Sequence, residues 1–345
     1  MVTMADVARV AGVNASTVSH VLNGTRAVSE ATREQVLQAI SQTGYRRNVL
    51  ARSLAKSSTM AFGVAISAVA NHYLGDLVRA VESGARAAGY MLMLGDTYDQ
   101  PEIERRVVEE LIDRRVDGIL LAPTVGSESD ALPFLQSTGV PTVLLDRFAD
   151  VDLDQVAPDN VEPTALLVDH LADLGHRRIA MVTGRPGLHS SVERLAGYRQ
   201  VVSGRGLDHD PGLTVVGGSS AAVAEQAVLG LFDQAQPPSA IVVGNNAMTI
   251  GTMRALRTLK LRVPQDVAMV CYDDFEWADL FEPRLTAMHQ DVAQMGLKAI
   301  ELMLQRITSP EGPTQRLRVE PLYQHRTSCG CPEQTTGQDL WTKTF

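Results

Sequence analysis

Cysteine is scarce in this chain, with three in 345 residues. Cys329 and Cys331, in SCGC, are too few to make a zinc site, and His170, His176 and His189 have no metal-ligand spacing on any one helix. With Cys271 they read as reduced thiols of a cytoplasmic protein, since no secretory signal opens the chain. No run reaches the roughly 18 apolar residues of a membrane span. Nucleotide and hydrolase signatures are missing too: neither GxxxxGK(S/T) nor GxSxG occurs, and GRG at 204–206 lacks the third glycine of GxGxxG. With no phosphate loop and no nucleophile beside a base, enzymatic activity is not expected, nor is a metal or cofactor. The polar tail 332–345 has no heptad and offers nothing to a coiled coil.

What is present begins at residue 3, with TMADVARVAGVNASTVSHVLNG. Met4, Val7, Ala8 and Ala11 share one face of a short helix, which Thr3 can cap together with Asp6 three residues on. Gly12 breaks that helix, and Asn14 can cap a second from Ala15 to about Leu22, packed inward through Val18, Val21 and Leu22. Ser16, Thr17, Ser19, His20 and Asn23 remain on the other face. A small polar face without acids suits a helix inserted in a DNA major groove, although an ordinary surface hairpin of helices has the same apolar offsets.

Ser29 caps an expected third helix over Glu30–Thr43, with Thr32, Val36 and Ile40 on one face and Gly44 at its end. A basic segment follows, GYRRNVLARSLAKSST, which reads as a joint whose structure depends on a partner. Residues 1–60 hold seven basic and three acidic residues, a net of +4, while the other 24 basic and 37 acidic residues give −13. One basic end on an acidic body is the asymmetry of a protein that grips a polyanion at that end.

The run ADVARVAGVNASTVSHVLNGTRAVSEATREQVLQAI, followed by GYRRNVLARSL, resembles the headpiece and hinge of the LacI/GalR (lactose-repressor) family of bacterial transcription regulators. TVSHVLN, with His20, is nearer the purine-repressor version than versions with arginine there. The likeness runs to about Cys331. It implies a homodimer on double-stranded DNA at a palindromic operator, in the bacterial cytoplasm and on the nucleoid. Ala15, Ser16 and His20 are then expected at base edges with Asn23 on the same face, and Thr17, Tyr45 and Asn48 at phosphates. The hinge adds Arg52, and Leu54 from both subunits is implied as a wedge in the central minor groove.

The body alternates apolar runs with amphipathic helical stretches: FGVAIS, YMLMLG, DGILLA and VPTVLLD, then after Asn160 RIAMVT, LTVVG, AIVVG and DVAMVCY. Such alternation predicts parallel sheets covered on both faces. About 285 residues exceed one doubly wound core, so two lobes are expected. By resemblance these are lobes of the periplasmic-binding-protein type, with the chain crossing between them near 159–162, 285–291 and 318–324. The expected organisation is thus an all-α helix-turn-helix headpiece over 1–46, a hinge over 47–60 and an α/β effector-binding and dimerisation domain over 61–331. In that domain lobe 1 takes about 61–159 and 291–320, and lobe 2 about 162–285 and 322–331.

Open α/β sheets bind ligands beyond the carboxyl ends of their strands. Asp146 and Asp273 end two such strands, Asn245 follows a third, and Arg194 opens a helix after GRPGLHSSVE. Two acids, an amide and an arginine suit a polyol or sugar. The resemblance puts these four at the family's effector contacts, with Ser190 beside them and Tyr73 in the first lobe's entry loop. Ser219 stands where relatives often present a stacking aromatic, which argues against a purine, and Trp277 is the remaining aromatic candidate. The expected function is a repressor controlled by a sugar or sugar acid. The alternative is a sugar-binding transport or sensor protein without a DNA role.

Overall fold

A computed structural model describes residues 2–24, 26–45, 58–67, 72–280 and 282–331. Asn48, Arg52 and Leu54, with most of the hinge and the tail from 332, lie outside the described residues. The chain divides into two units, 1–59 and 60–345.

The N-terminal unit is three helices, α1 (Met4–Ala11), α2 (Ala15–Asn23) and α3 (Glu30–Thr43). Local chemistry sets each end. The Thr3 hydroxyl accepts from the Asp6 amide while the Asp6 carboxylate accepts from the Thr3 amide at 3.0 Å, a reciprocal capping box. Gly12 closes α1 at φ 65°, a left-handed conformation that costs a glycine little. Ser29 accepts from the Thr32 amide at the start of α3. Asn14 holds the cap position of α2, but its side chain makes no capping bond. Val7, Ala8, Val18, Val36 and Ala39 form the buried centre, with Val21, Leu22, Ile40 and Tyr45 packed around it. So small a core leans on its caps. Thr3→Ala is therefore expected to cost about 1 kcal/mol, seen as an earlier headpiece transition in calorimetry of the intact chain. An unchanged transition would remove the capping box from the account of headpiece stability.

The larger unit holds two six-stranded sheets. In chain order the first lobe comprises β1 (Ala61–Ile66), α4 (His72–Ala87), β2 (Met91–Asp96), α5 (Pro101–Asp113), β3 (Gly118–Leu121), α6 (Ala131–Thr138), β4 (Thr142–Leu145) and β5 (Asp154–Pro158). The second comprises α7 (Val161–Asp173), β6 (Ile179–Thr183), α8 (His189–Gly204), β7 (Thr214–Val216), α9 (Ala221–Phe232), β8 (Ala240–Val243), α10 (Asn246–Thr258), β9 (Ala268–Tyr272) and β10 (Thr286–His289). The chain then returns to lobe 1 as α11 (Val292–Thr308) and β11 (Arg316–Val319), and ends in lobe 2 with β12 (Leu322–Gln324).

The first sheet runs β11-β5-β4-β3-β1-β2, wholly parallel. The second runs β12-β10-β9-β8-β6-β7, parallel except for β12 against β10. Central strands are buried on both faces, as in β1, β3, β4, β6, β8 and β9, which is why they read as unbroken apolar runs. The chain crosses between the lobes at 159–160, 290–291 and 320–321, so the second lobe extends past residue 285 to include β10. That strand pairs Thr286 with Val270 and Met288 with Tyr272, a continuation of the sheet that TAMH is too short to announce.

Three helix pairs, α7 with α8, α9 with α10 and α4 with α11, meet through a glycine. A Cβ on Gly197 would overlap the Val161 carbonyl oxygen, one on Gly251 the Ala221 carbonyl oxygen, and one on Gly296 Ala80. Among the described residues no helix is long and apolar enough to cross a membrane.

Candidate functional site

Two features stand out. In the headpiece, α2 exposes Ala15, Ser16 and Asn23, and half-exposes Thr17, Ser19 and His20. It carries no acidic residue in its first turn, and Asn23 donates to the Ser19 hydroxyl at 3.1 Å. The missing Asn14 cap bond leaves the first amides of α2 without that side-chain partner, the end of a helix that favours an anion. Tyr45 is half-buried against the headpiece core.

The second feature is the cleft where the carboxyl ends of the two sheets face each other. It encloses a cavity of about 110 Å³. Tyr73, Asp146, Ser190, Arg194, Asn245 and Asp273 all line it, as does Ser219. β4 and β9 hold the same rank in their sheets, and each is followed by an aspartate in the left-handed region, Asp146 at φ 71° and Asp273 at φ 70°. The two lobes therefore present matching carboxylates from opposite walls. Tyr73 lies on α4 rather than in a loop, and its hydroxyl donates to Asp146 Oδ1 at 2.5 Å.

Arg194 organises the second wall. Its Nε donates to Asn160 Oδ1 at 2.8 Å, its Nη1 to the Gly244 carbonyl at 2.5 Å, and its guanidinium caps the Tyr272 ring at 3.7 Å. Nη2 stands 3.8 Å from Asp273 Oδ1, too far for a hydrogen bond and free to serve a third oxygen between them. Asp273 accepts from Gln290 Nε2 and, at 3.4 Å, from the Asn246 amide. Burial pushes its carboxyl above the ordinary carboxylate value, against the pull of Arg194, Gln290 and that amide. Burial, and then Asp146 beside it, push the Tyr73 phenol well above its usual value. Asn245 caps α10 by accepting from the Met248 amide at 2.9 Å, which leaves its NH₂ for other work.

The sequence reading missed several members. Arg147, buried beside Asp146, donates to Asp99 Oδ1 at 2.6 Å. Its adjacency in LLDR was a usable signal. Arg185 of lobe 2 donates to the Asp99 carbonyl of lobe 1 at 2.5 Å, and Gln290 reaches Asp273 from the second crossing; nothing local marks either contact. The buried Asn246 Oδ1, Gln290 Oε1 and Arg147 Nε have no hydrogen-bond partner, although Arg147 Nε stands 3.4 Å from Asp146 Oδ2. Trp277 is absent from the cleft. It packs against Phe275 with ring centroids 4.2 Å apart and lines a separate apolar groove beside α10.

A helix-turn-helix unit ahead of a two-lobed α/β domain with a polar cleft defines a ligand-responsive regulator of the helix-turn-helix class. Residues 3–48 match the family described as bacterial regulatory proteins, lacI family, and residues 168–329 match the periplasmic binding protein-like domain. The chain is 38% identical over 329 residues to the ribose operon repressor of Escherichia coli (strain K12), covering 95% of this chain and 100% of that protein. It is 31% identical over 322 residues to the HTH-type transcriptional repressor PurR of Haemophilus influenzae (strain PittEE), covering 93% and 96%. Among solved structures, the lac repressor dimer bound to operator and the anti-inducer ONPF superposes with a TM-score of 0.87 at 29% identity, over 95% of this chain and 99% of that one. The chain belongs to the lacI family of bacterial regulatory proteins.

Proposed function

We propose that the protein is an effector-responsive transcriptional repressor that binds a palindromic operator as a homodimer, in the bacterial cytoplasm and at the nucleoid. Its work is binding rather than turnover. Each headpiece sets α2 in a major groove, with Ala15, Ser16, His20 and Asn23 toward base edges and Thr17, Tyr45 and Asn48 toward phosphates. Arg52 and Leu54 act in the hinge, Leu54 as a wedge at the central step. Few of these side chains are long enough for bidentate contacts, so DNA shape carries much of the specificity.

The observation that carries the effector reading is the pair of matched aspartates across the cleft, with the uncommitted Nη2 of Arg194 beside one of them. Carboxylates that accept from adjacent hydroxyls, and a guanidinium that donates to an oxygen, read a polyol. The cavity of about 110 Å³ is tight, and the Tyr272 ring behind it is already covered by Arg194. A single sugar or sugar acid fits best, bound by Tyr73, Asp146, Ser190, Arg194, Asn245 and Asp273. A ligand that favours one angle between the lobes needs a coupling of only about 1–3 kcal/mol to control operator affinity.

The test is operator selection from random duplexes with and without a panel of pentoses, hexoses and sugar acids. A palindrome enriched only in the absence of one sugar is the expected result, and no enriched palindrome under any condition would defeat the proposal. Operator affinity is also expected to fall steeply with salt, with a log–log slope of about −0.9 per neutralised phosphate. A flat dependence in a salt titration by fluorescence anisotropy would contradict a headpiece that grips the DNA backbone.

A further inference from the structure

The last described segment returns to lobe 2 and is pinned there. After β12, the Ser328 hydroxyl donates to the Met269 carbonyl at 2.6 Å and accepts from the Thr286 amide at 2.8 Å, and the Ser328 carbonyl accepts from the Met269 amide at 2.8 Å. These bonds press the segment His325–Cys331 against α7, where His170 lies. The result is a knot of four metal-ligand side chains outside the cleft: His170, His325, Cys329 and Cys331. Reading the cysteines by count and the histidines by spacing on single helices does not reveal it, because His170 comes from 155 residues earlier than His325.

The geometry is specific. The four ligand atoms all lie within 4.8 Å of one another. Cys329 Sγ stands 3.5 Å from His325 Nε2, and Cys331 Sγ stands 3.6 Å from His170 Nε2. The imidazoles are nearly perpendicular, at 81° with centroids 5.4 Å apart. In a tetrahedral zinc site, Zn–S of about 2.3 Å and Zn–N of about 2.0–2.1 Å put each sulfur ~3.6 Å from each nitrogen. Two of the four sulfur–nitrogen pairs already stand at that separation.

One further observation suits a cation. The buried Tyr323 hydroxyl has no hydrogen-bond partner, and its ring packs against both imidazoles with centroids 5.8 and 5.9 Å away. A nearby metal thiolate is an acceptor for such an orphan.

We propose that His170, His325, Cys329 and Cys331 form a tetrahedral zinc site that staples the segment His325–Cys331 to α7. A closed Cys₂His₂ set leaves no position for substrate, so the role is structural. Binding to the folded state alone raises stability by mass action.

The test uses the intact, tag-free protein, reduced, loaded with a zinc salt and desalted, with metal counted by elemental analysis. The expected content is about one zinc per chain, falling to background in Cys331→Ser and in His170→Ala. Cobalt(II) added to the unsubstituted protein gives the intense visible bands of a tetrahedral thiolate complex, a readout that does not depend on any variant folding. Thermal midpoints rise with zinc in the parent and stay still in the variants. Three results would overturn the proposal: no zinc above the buffer control, zinc retained by both variants as adventitious surface binding, or a Cys329–Cys331 disulfide in protein isolated without oxidant.

Discussion

Arg194→Ala is expected to lower effector affinity by roughly thirtyfold to several thousandfold, the equivalent of about 2–5 kcal/mol for removing one partner of a buried, hydrogen-bonded charge pair. The size follows from what the side chain does at once. It holds Asn160, the Gly244 carbonyl and the Tyr272 ring, and it is the cation nearest the buried Asp273. Without it Asp273 faces the ligand in a dry site with only Gln290 and one amide to steady its charge. Arg194→Lys recovers little, because an ammonium cannot span Asn160 and Gly244 while stacking on an aromatic ring. Titration calorimetry with the effector found by operator selection measures the loss, and operator binding without it serves as the control for folding. A variant that responds to effector like the parent would remove Arg194 from the site.

The second large effect concerns Glu193, one residue earlier on α8. Its carboxylate accepts from Arg318 Nη2 at 2.8 Å and Asn160 Nδ2 at 3.0 Å, with His189 Nδ1 at 3.5 Å. Arg318 belongs to β11 in lobe 1 and Asn160 to the first crossing, so one carboxylate fastens both lobes to a connecting segment. Burial alone would raise this group, but hydrogen bonds from His189, Arg318 and Asn160 bring it down to about 2. A folded value below the unfolded one stabilises above the unfolded value and fades as acid is added. The contribution is therefore complete above about pH 4.5 and lost between there and about pH 2. Because Arg318 is half-exposed, screening reduces it to about 1–2 kcal/mol. Urea unfolding of the parent should lose that much more stability than Glu193→Gln between pH 5 and pH 2, and parallel curves for the two would refute the role.

What could be read from the sequence was what local chemistry fixes. Thr3 with Asp6, Gly12, Ser29 and Gly44 are short-range signals, and the headpiece helices begin and end where those residues stand. The buried strands announced themselves as apolar runs because helices cover both faces of their sheets. β5 did not, since DQVAP is polar. Asp154 pairs with Arg306 at 2.7 Å and Gln155 bonds the backbone of Ala149 and Val151, partners that exist only after folding. The cleft divides the same way. Residues at strand ends could be named in advance because topology sends them there, whereas Asp99, Arg185 and Gln290 reach it through loops and crossings whose course no periodicity records.

The glycines between the helices have a mechanical consequence. Helix pairs that touch backbone to backbone at Gly197, Gly251 and Gly296 cannot slide without collision, so each lobe behaves as a stiff plate. Compliance is then concentrated in three short strips of chain, at 159–160, 290–291 and 320–321. A two-plate hinge of this kind turns any ligand that fits between the plates into a change of one angle. The floor of the cleft can thus be rewritten for a new ligand while the strips that join the plates stay as they are.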